Sequence, residues 1–260
     1  MVGYDNITDK AQPTTPVQQE QQKISKHEKS AAMALFTSLL PPKEEWPSPV
    51  HKFYLAFNMD EVIDPIRQNP NWTGLDAMSR DIPQALIAIE DHAFYNHGAI
   101  AVEGILRAAL ANINAGEVVQ GGSTLTQQFV KNVFLSHEQS MERKIEEAVL
   151  SLMLEDNYSK DEILELYLNT TYFGAGSTGI KQASRTYFGK APSALTLAEA
   201  AVIASLPYAP TSLNPLENPE GCKKRQLLVL AAMHKYGMIN QGQLAEAKAE
   251  KIRLTNGTVM

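Results

Sequence analysis

The sequence predicts a mainly α-helical globular protein. Hydrophobic residues make up 44% and charged residues 20% of the 260 positions, as in chains that bury a core. From Pro83 onward apolar residues recur at helical spacing, whereas the alternating β-branched pattern of strands is scarce. We therefore expect helices almost throughout, with one or two short strands between about residues 50 and 75.

The N-terminal region differs in composition from the remainder. Residues 1–25 are polar, rich in glutamine and interrupted by prolines, so they carry too little apolar surface to fold. A helix over residues 26–40 is expected next, followed by a proline-rich spacer. The prediction is a disordered polar tail and linker helix over residues 1–45 and one folded domain over residues 46–260.

Helix-start signals place two of the later helices. Ser159 and Glu162 form a capping-box pattern, and Thr196 and Glu199 repeat it ahead of an alanine-rich helix that Pro207 ends. A third helix is predicted over residues 143–155, where three apolar side chains recur on one face. These side chains are Ile145, Val149 and Leu152. Other predicted helices begin near Pro83, Ser123, Arg225 and Gln241.

Charge and cysteine usage limit the classes of function. The net charge is -6 with a pI near 5.6, which argues against a nucleic-acid binder. Cys222 is the sole cysteine, so no internal disulfide can form. The apolar stretch over residues 30–40 is about half the length that spans a bilayer, and no signal-peptide pattern is present. Either the protein is cytosolic or its membrane anchor lies outside this chain.

One predicted helix ends in a segment whose side chains could take part in catalysis, Glu90 to Gly98. Glu90 follows five apolar residues, and desolvation there would raise the pKa of its carboxyl and prepare it for proton transfer. The alternatives are a solvated helix end or a metal site. Zinc-binding helices space their histidines four apart, whereas His92 and His97 are five apart, which disfavours the metal.

A second segment, residues 121–132, begins with two glycines and continues as an amphipathic helix. Thr124, Gln127, Gln128 and Lys131 line its polar face, which suits a sugar or phosphate. The helix start also offers backbone N–H groups to an anion. The sequence lacks the ending of a nucleotide P-loop, and an ordinary amphipathic helix is the alternative.

A third segment pairs Arg143 with Glu147 on one helical face. The pair is either an exposed ion pair of small energetic value or part of a cleft in which Glu147 is a second carboxylate. Two further segments, residues 160–169 and 198–207, have the apolar spacing of structural helices. Their expected role is packing.

The five segments together, in this order, resemble the motifs of the family 51 glycosyltransferases. These are the transglycosylase domains of class A penicillin-binding proteins and the monofunctional peptidoglycan glycosyltransferases. The resemblance extends from about Asp81 to at least Pro210. It implies a lysozyme-like lobe with a smaller membrane-contacting lobe, and it places residues 99–120 against the bilayer. The chain lacks transpeptidase motifs, so we expect an excised domain.

The resemblance also implies roles for individual residues. Glu90 matches the general base, and Glu147 matches a second catalytic carboxylate that orients the donor pyrophosphate, directly or through Mg²⁺ or Mn²⁺. Lys131 and Arg143 match residues that contact the donor phosphates. Other matches to the substrate-binding cleft are Asp91, Phe94, His97, Ser123, Thr124, Gln128 and Asn132. Neither an organic cofactor nor a metal held by protein ligands alone is expected.

The implied reaction polymerises lipid II into β-1,4-linked glycan strands with inversion and releases undecaprenyl pyrophosphate. The implied partners are lipid II, lipid-linked glycan, the membrane surface and moenomycin-type inhibitors at the donor site, and no nucleic acid. The implied location is the outer face of the bacterial plasma membrane. Two alternatives stay open: a hydrolase of similar fold, and a non-catalytic cell-wall binding module. Lys131 and Arg143 disfavour the hydrolase, because it has no pyrophosphate to hold.

Overall fold

The computed structural model describes residues 54–55, 57–101, 122–135 and 140–260. The chain divides into two compact units, Met1–Asn58 and Met59–Met260. In the first unit, the backbone and side-chain N–H groups of Asn58 donate to the carbonyl of Tyr54 at 3.0 and 2.9 Å. All that follows concerns the second unit.

The described part of the second unit is helical, which confirms the mainly α prediction. Short 3-10 helices occur at Leu75–Ala77, Phe94–Asn96 and Pro192–Ala194. The α-helices, numbered here in chain order, are α1 Asp60–Arg67, α2 Asp81–Glu90, α3 Leu125–Phe134, α4 Met141–Asn157, α5 Lys160–Thr170, α6 Ile180–Phe188, α7 Leu197–Ser205, α8 Pro219–Lys235 and α9 Gln241–Ala249.

The strands predicted between residues 50 and 75 are wrong for residues 57–75, where the structure has α1 and no strand. Asp60 and Glu61 in the first turn and Arg67 in the last turn match the polarity of the helix dipole. Ile63 anchors this helix because its side chain is completely buried. Only isolated antiparallel bridges occur in the described chain, as at Tyr172 and Thr178.

Side-chain caps fix several helix starts. The predicted capping boxes of Ser159 at α5 and Thr196 at α7 are both present. Two others were not predicted: Thr124 caps α3 with Gln127, and Asn240 caps α9 with Gln243. In each box a side-chain oxygen accepts a backbone N–H that the first turn leaves unpaired.

Two groups of helices position the site. In the first group α2, α7 and α8 pack against one another. Every residue of α7 from Ala198 to Ser205 is buried, as expected of a helix in the middle of a core. The single cysteine, Cys222, is completely buried on α8, with its sulfur 3.9 Å from the hydroxyl of Ser205.

The second group is α3 packed against α4 and α5. Ile163, Leu164 and Leu168 of α5 are buried in its interior. Glu90 is the last residue of α2 in the first group, and its carboxylate contacts Gln128 of α3 in the second group. The boundary between the two groups therefore carries the predicted base.

The apolar face predicted on α4 is present but points outward. Met141, Ile145, Val149 and Leu152 are 78, 62, 50 and 54% exposed, and we call these four residues the α4 stripe. The buried side of α4 holds Glu147, Leu150, Ser151 and Leu154 instead. The helical period was correct, but it could not tell which apolar residues face the core.

Several predictions fall on residues outside the described ranges. These are the tail and linker helix, the domain boundary after residue 45, and nearly all of the segment 99–120 with its membrane-contacting lobe. Within the described residues, no helix is long and apolar enough to cross a membrane.

Candidate active site

The carboxylate of Glu90 lies at the C-terminal end of α2 and faces α3. The side-chain amide of Gln128 donates a hydrogen bond from Nε2 to Glu90 Oε2 at 3.1 Å. Burial raises the pKa of Glu90 above its ordinary value, although the Gln128 hydrogen bond and the charges of Arg225 and Lys131 act to lower it. A carboxyl with a raised pKa can exchange a proton nearer to neutral pH.

The other end of the Gln128 amide accepts a hydrogen bond from the core. The hydroxyl of Tyr167 on α5 donates to Gln128 Oε1 at 3.0 Å. Tyr167 is buried in the core. One amide thus joins the predicted base to the second group of helices.

Asp91, next to Glu90, ties the loop after α2 to the start of α3. Its Oδ2 accepts the backbone N–H of Leu125 at 3.0 Å, and its Oδ1 lies 2.6 Å from Nε2 of His97. The other ring nitrogen of His97 lies 2.6 Å from the carbonyl oxygen of Gly98. His97 is therefore clamped between two acceptors.

This arrangement corrects the prediction that the start of α3 offers free N–H groups to a substrate anion. The N–H of Leu125 is taken by Asp91, that of Gln127 by the Thr124 hydroxyl, and that of Thr124 by the Gln127 side chain. A protein carboxylate already fills the position that the helix dipole favours for an anion.

Glu147 is buried between two cations of its own helix. Arg143 Nη1 donates to Oε2 at 3.2 Å, and Lys144 Nζ donates to Oε1. The Glu147 side chain is only 2% exposed, so these charges offset the cost of removing it from water. Lys144 also donates to the hydroxyl of Ser123 at 3.2 Å, which joins α4 to the residue before the α3 cap.

Lys144 is a residue that the sequence reasoning missed. It stands beside Arg143 and three positions before Glu147, a spacing that brings side chains together on a helix. That spacing was the available signal. The predicted pairing of Arg143 with Glu147 is present, with the glutamate buried and the arginine half-buried.

The loop after α2 rests on the start of α5. Phe94 is completely buried, which places it behind the site surface, and Lys160 Nζ lies 4.5 Å from its ring centroid. The hydroxyl of Tyr95 donates to Asp161 at 2.7 Å. The segment predicted as a packing helix therefore also fixes the loop that carries Asp91 and His97.

Three remaining predicted residues lie on or before α3. Thr124 is buried, caps the helix and donates from its hydroxyl to the carbonyl of Ala99 at 2.7 Å. Lys131 and Asn132 are exposed on the same helix. The positive charge of Lys131 acts to lower the pKa of Glu90.

Arg225 of α8 is a second residue that the sequence did not indicate. Its guanidinium carbon lies 4.1 Å from the ring centroid of Tyr208, and its charge lowers the pKa of Glu90. Nothing in the pattern around residue 225 shows that α8 packs against α2. That packing is what brings this cation to the base.

The described residues do not fit a divalent ion held by the protein. No group of three or more His, Cys, Asp or Glu side chains among them could hold a metal. Glu147 would be the ligand, yet both of its carboxylate oxygens already accept hydrogen bonds from cations. We therefore assign no step of the chemistry to a metal.

Comparison with known proteins identifies the family to which this chain belongs. The transglycosylase family model matches residues 59–234. A Cupriavidus necator protein provisionally named a transglycosylase is 41% identical over 194 residues, covering 75% of this chain and 84% of that protein. Penicillin-binding protein 1A of Neisseria flavescens is 44% identical over 185 residues, covering 71% of this chain and 23% of that protein.

Other matches likewise cover half of this chain or more but a small part of the relative. Penicillin-binding protein 1A of Aquifex aeolicus is 44% identical over 176 residues, which are 68% of this chain and 24% of that protein. The chain thus spans about a quarter of these penicillin-binding proteins. The crystal structure of penicillin-binding protein 1A from Haemophilus influenzae matches 50% of this chain and 16% of its own, with 33% identity and a TM-score of 0.36. That score is too low to support a structural argument.

The domain is helical and combines a half-buried carboxylate at a helix end with a second, buried carboxylate between two cations, groups that suit proton transfer and the binding of an anion. The family match covers more than half of the chain. The chain belongs to the transglycosylase family, and the domain is that of a peptidoglycan glycosyltransferase.

Proposed function

We propose that the protein polymerises lipid II into β-1,4-linked glycan strands. The observation that carries the proposal is the half-buried carboxylate of Glu90, which accepts a hydrogen bond from Gln128 and whose pKa is raised by burial. Such a group suits a general base at neutral pH. Arg143 and Lys144, which each donate to one oxygen of the buried Glu147, supply the positive charge that the donor pyrophosphate requires.

The proposed chemistry begins with proton transfer to Glu90. Its carboxylate accepts the proton of the 4-hydroxyl of the acceptor GlcNAc. The freed oxygen attacks the anomeric carbon of the donor MurNAc from the face opposite the leaving group. A β-1,4 bond forms, the bond from that carbon to the lipid pyrophosphate breaks, and the configuration inverts.

The leaving group explains why this site needs cations rather than a second acid. A glycosidase must protonate a poor alkoxide leaving group. Undecaprenyl pyrophosphate departs as a stable anion, so positive charges placed near it suffice. Lys131, Arg143 and Lys144 are suited to that role. This requirement favours a transferase over the hydrolase alternative.

A lipid-linked donor also accounts for the α4 stripe. Four apolar side chains lie exposed on the helix that carries Arg143 and Lys144. Exposed apolar patches mark contact surfaces. We propose that the stripe contacts the membrane surface, while the cations of the same helix meet the pyrophosphate of lipid II or of the lipid-linked glycan.

Two further proposals follow from a lipid-linked donor. Polymerisation takes place at the outer face of the bacterial plasma membrane, where the donor is presented. Moenomycin-type inhibitors bind the donor site, because a phosphate-bearing lipid can use the same cations and apolar surface.

The test is polymerisation of purified lipid II in detergent by the full chain, with and without muramidase digestion of the product. We expect muramidase-sensitive polymer from the parent and at least a hundredfold loss in Glu90→Gln, as for removal of an essential proton acceptor. Glu246→Gln is the matched control, because Glu246 is an exposed carboxylate on α9. Equal polymerisation by the parent and Glu90→Gln would reject the assignment of the base. Failure of the folded parent in both detergent and lipid vesicles would reject the function.

A further inference from the structure

Two hydrogen bonds in series connect the core of α5 to the predicted base. Tyr167 Oη donates to Gln128 Oε1 at 3.0 Å, and Gln128 Nε2 donates to Glu90 Oε2 at 3.1 Å. The three residues come from α5, α3 and α2. Tyr167 itself is buried and lies away from the surface that a substrate could reach.

The direction of these bonds matters because an amide has two unlike ends. The oxygen and nitrogen of a glutamine side chain occupy nearly equivalent positions, and only their partners decide which end faces which way. A carboxylate accepts hydrogen bonds and cannot donate them. Gln128 supports ionised Glu90 only when its nitrogen faces the carboxylate.

Tyr167 fixes that choice because it stays a donor. Burial and the negative charge of Glu90 both raise the pKa of the Tyr167 hydroxyl, so it keeps its proton throughout the working pH range. The amide oxygen of Gln128 is the acceptor of that proton. The opposite end of the amide, with its N–H groups, is therefore directed at Glu90.

We propose that Tyr167 is a positioning residue for catalysis: its hydroxyl orients the Gln128 amide so that the amide stabilises and aims the ionised carboxylate of Glu90. The inference rests on the proposed role of Glu90 as the base. It assigns to a buried side chain of a packing helix an effect on the proton affinity of a group two hydrogen bonds away.

Removing the hydroxyl has two expected consequences. In Tyr167→Phe the Gln128 oxygen loses its donor, the amide is no longer held in one orientation, and its hydrogen bond to Glu90 weakens. The pKa of Glu90 then rises by about half a unit to one unit, since a bond that favoured the charged form is lost. Turnover falls by about tenfold with little change in KM, because the orientation of the base changes but substrate contacts do not.

The experiment compares Tyr167→Phe with Tyr187→Phe in the full chain. Tyr187 is equally buried and also donates one hydrogen bond, to the carbonyl of Phe173 at 2.8 Å, but it belongs to α6. The first readout is a pH titration of the Glu90 side-chain carbon by 13C NMR, with its resonance identified by its loss in Glu90→Gln. The second is the pH dependence of lipid II polymerisation, with kcat and KM measured separately.

A rise in the Glu90 pKa in Tyr167→Phe, with no rise in Tyr187→Phe, is the expected result. An unchanged Glu90 titration in folded Tyr167→Phe, or an equal shift in both variants, would overturn the inference. The NMR titration needs no activity, so it separates this inference from the proposed function. Polymerisation by Glu90→Gln at the parent rate would instead reject the base itself.

A second variant keeps the inference testable if Tyr167→Phe folds poorly. Gln128→Met removes the amide from a half-buried position. It should raise the Glu90 pKa at least as much as Tyr167→Phe does. No rise in the Glu90 pKa in folded Gln128→Met would overturn the inference without any change at Tyr167. Where Tyr167→Phe folds, adding it to Gln128→Met should cause no further shift, because the proposed effect passes through Gln128. An additive shift in the double variant would overturn the inference.

Discussion

The carboxylate of Asp91 accepts the backbone N–H of Leu125 at 3.0 Å, which joins the residue after the base to the first turn of α3. Its other oxygen lies 2.6 Å from His97. Asn in place of Asp91 turns an N–H₂ group toward one of these two partners and removes the negative charge at the helix start. We expect Asp91→Asn to lower the free energy of unfolding by about 1.5–3 kcal/mol, the usual cost for a charged hydrogen bond.

Chemical denaturation of the full chain measures this loss. Asp76→Asn is the control, because Asp76 is exposed in a short 3-10 helix. A change below about 0.5 kcal/mol, the range of ordinary surface substitutions, would show that Asp91 is not needed to hold α3.

Glu90 should lower stability at neutral pH. Its folded pKa is raised by burial, so the folded state binds the proton more tightly than the unfolded state. Stability is therefore greatest below the unfolded pKa and is lost as the pH rises through the folded pKa. Glu90→Gln should raise Tm at pH 7.5 by about 2–4 °C for each kcal/mol recovered, and the gain should vanish near pH 4. A Tm gain that is the same at both pH values would contradict this account.

Arg225 should tune the base from outside the segments that the sequence singled out. Its charge lowers the pKa of Glu90. Arg225→Met should therefore move the acidic limb of the kcat/KM profile for polymerisation to higher pH. The matched control is Lys224→Met, which removes the same charge from the exposed neighbouring position. If both variants shift the limb equally, the effect of Arg225 is only one of net charge.

Lys144 should serve the donor rather than the base. It contacts Ser123 and Glu147, and in the proposed mechanism it meets the departing pyrophosphate. Lys144→Met should lower kcat/KM by about 10- to 100-fold without moving the acidic limb of the pH profile. Lys248→Met removes an exposed ammonium from α9 and provides the comparison. Normal kcat/KM in Lys144→Met would exclude the lysine from the donor site.

The α4 stripe should hold the protein on lipid. Replacing Met141, Ile145, Val149 and Leu152 with glutamine keeps good helix formers at exposed positions, so the fold should survive. Co-sedimentation with vesicles should fall at least about tenfold, since each buried aliphatic side chain contributes about 1.5–3 kcal/mol. Leu228→Gln, an exposed leucine on α8, controls for general hydrophobicity. Undiminished sedimentation would mean that the stripe is not the lipid contact.

The sequence predicted the local features best. The mainly α class, the caps of Ser159 and Thr196, and the pairing of Arg143 with Glu147 each depend on residues within one or two helical turns. Such short-range patterns can be predicted from the sequence because they do not depend on how the helices pack. The desolvation of Glu90 was also visible, because an apolar run leads directly into it.

The features that could not be predicted from the sequence depend on contacts between helices that are far apart in the chain. Arg225 lies 135 positions after Glu90, the difference between their residue numbers, and only the packing of α8 on α2 brings its charge to the base. The direction of the apolar face of α4 was equally hidden. Either Glu147 with its two cations or the α4 stripe could face the interior, and the helical period does not show which of the two does. The hydrogen bond from the backbone N–H of Leu125 to Asp91 was hidden as well, because it depends on the path of the loop after α2.

The buried cysteine has a practical consequence for experiments on this enzyme. Burial raises the pKa of the Cys222 thiol to about 11, and its side chain has no exposed surface. Maleimide and iodoacetamide reagents attack exposed thiolates, so they should leave the natural cysteine unmodified at neutral pH. A cysteine introduced at Ile145 would then be the one reactive thiol on the folded chain. A single environment-sensitive fluorophore there could follow α4 as it meets lipid, without first removing the natural cysteine.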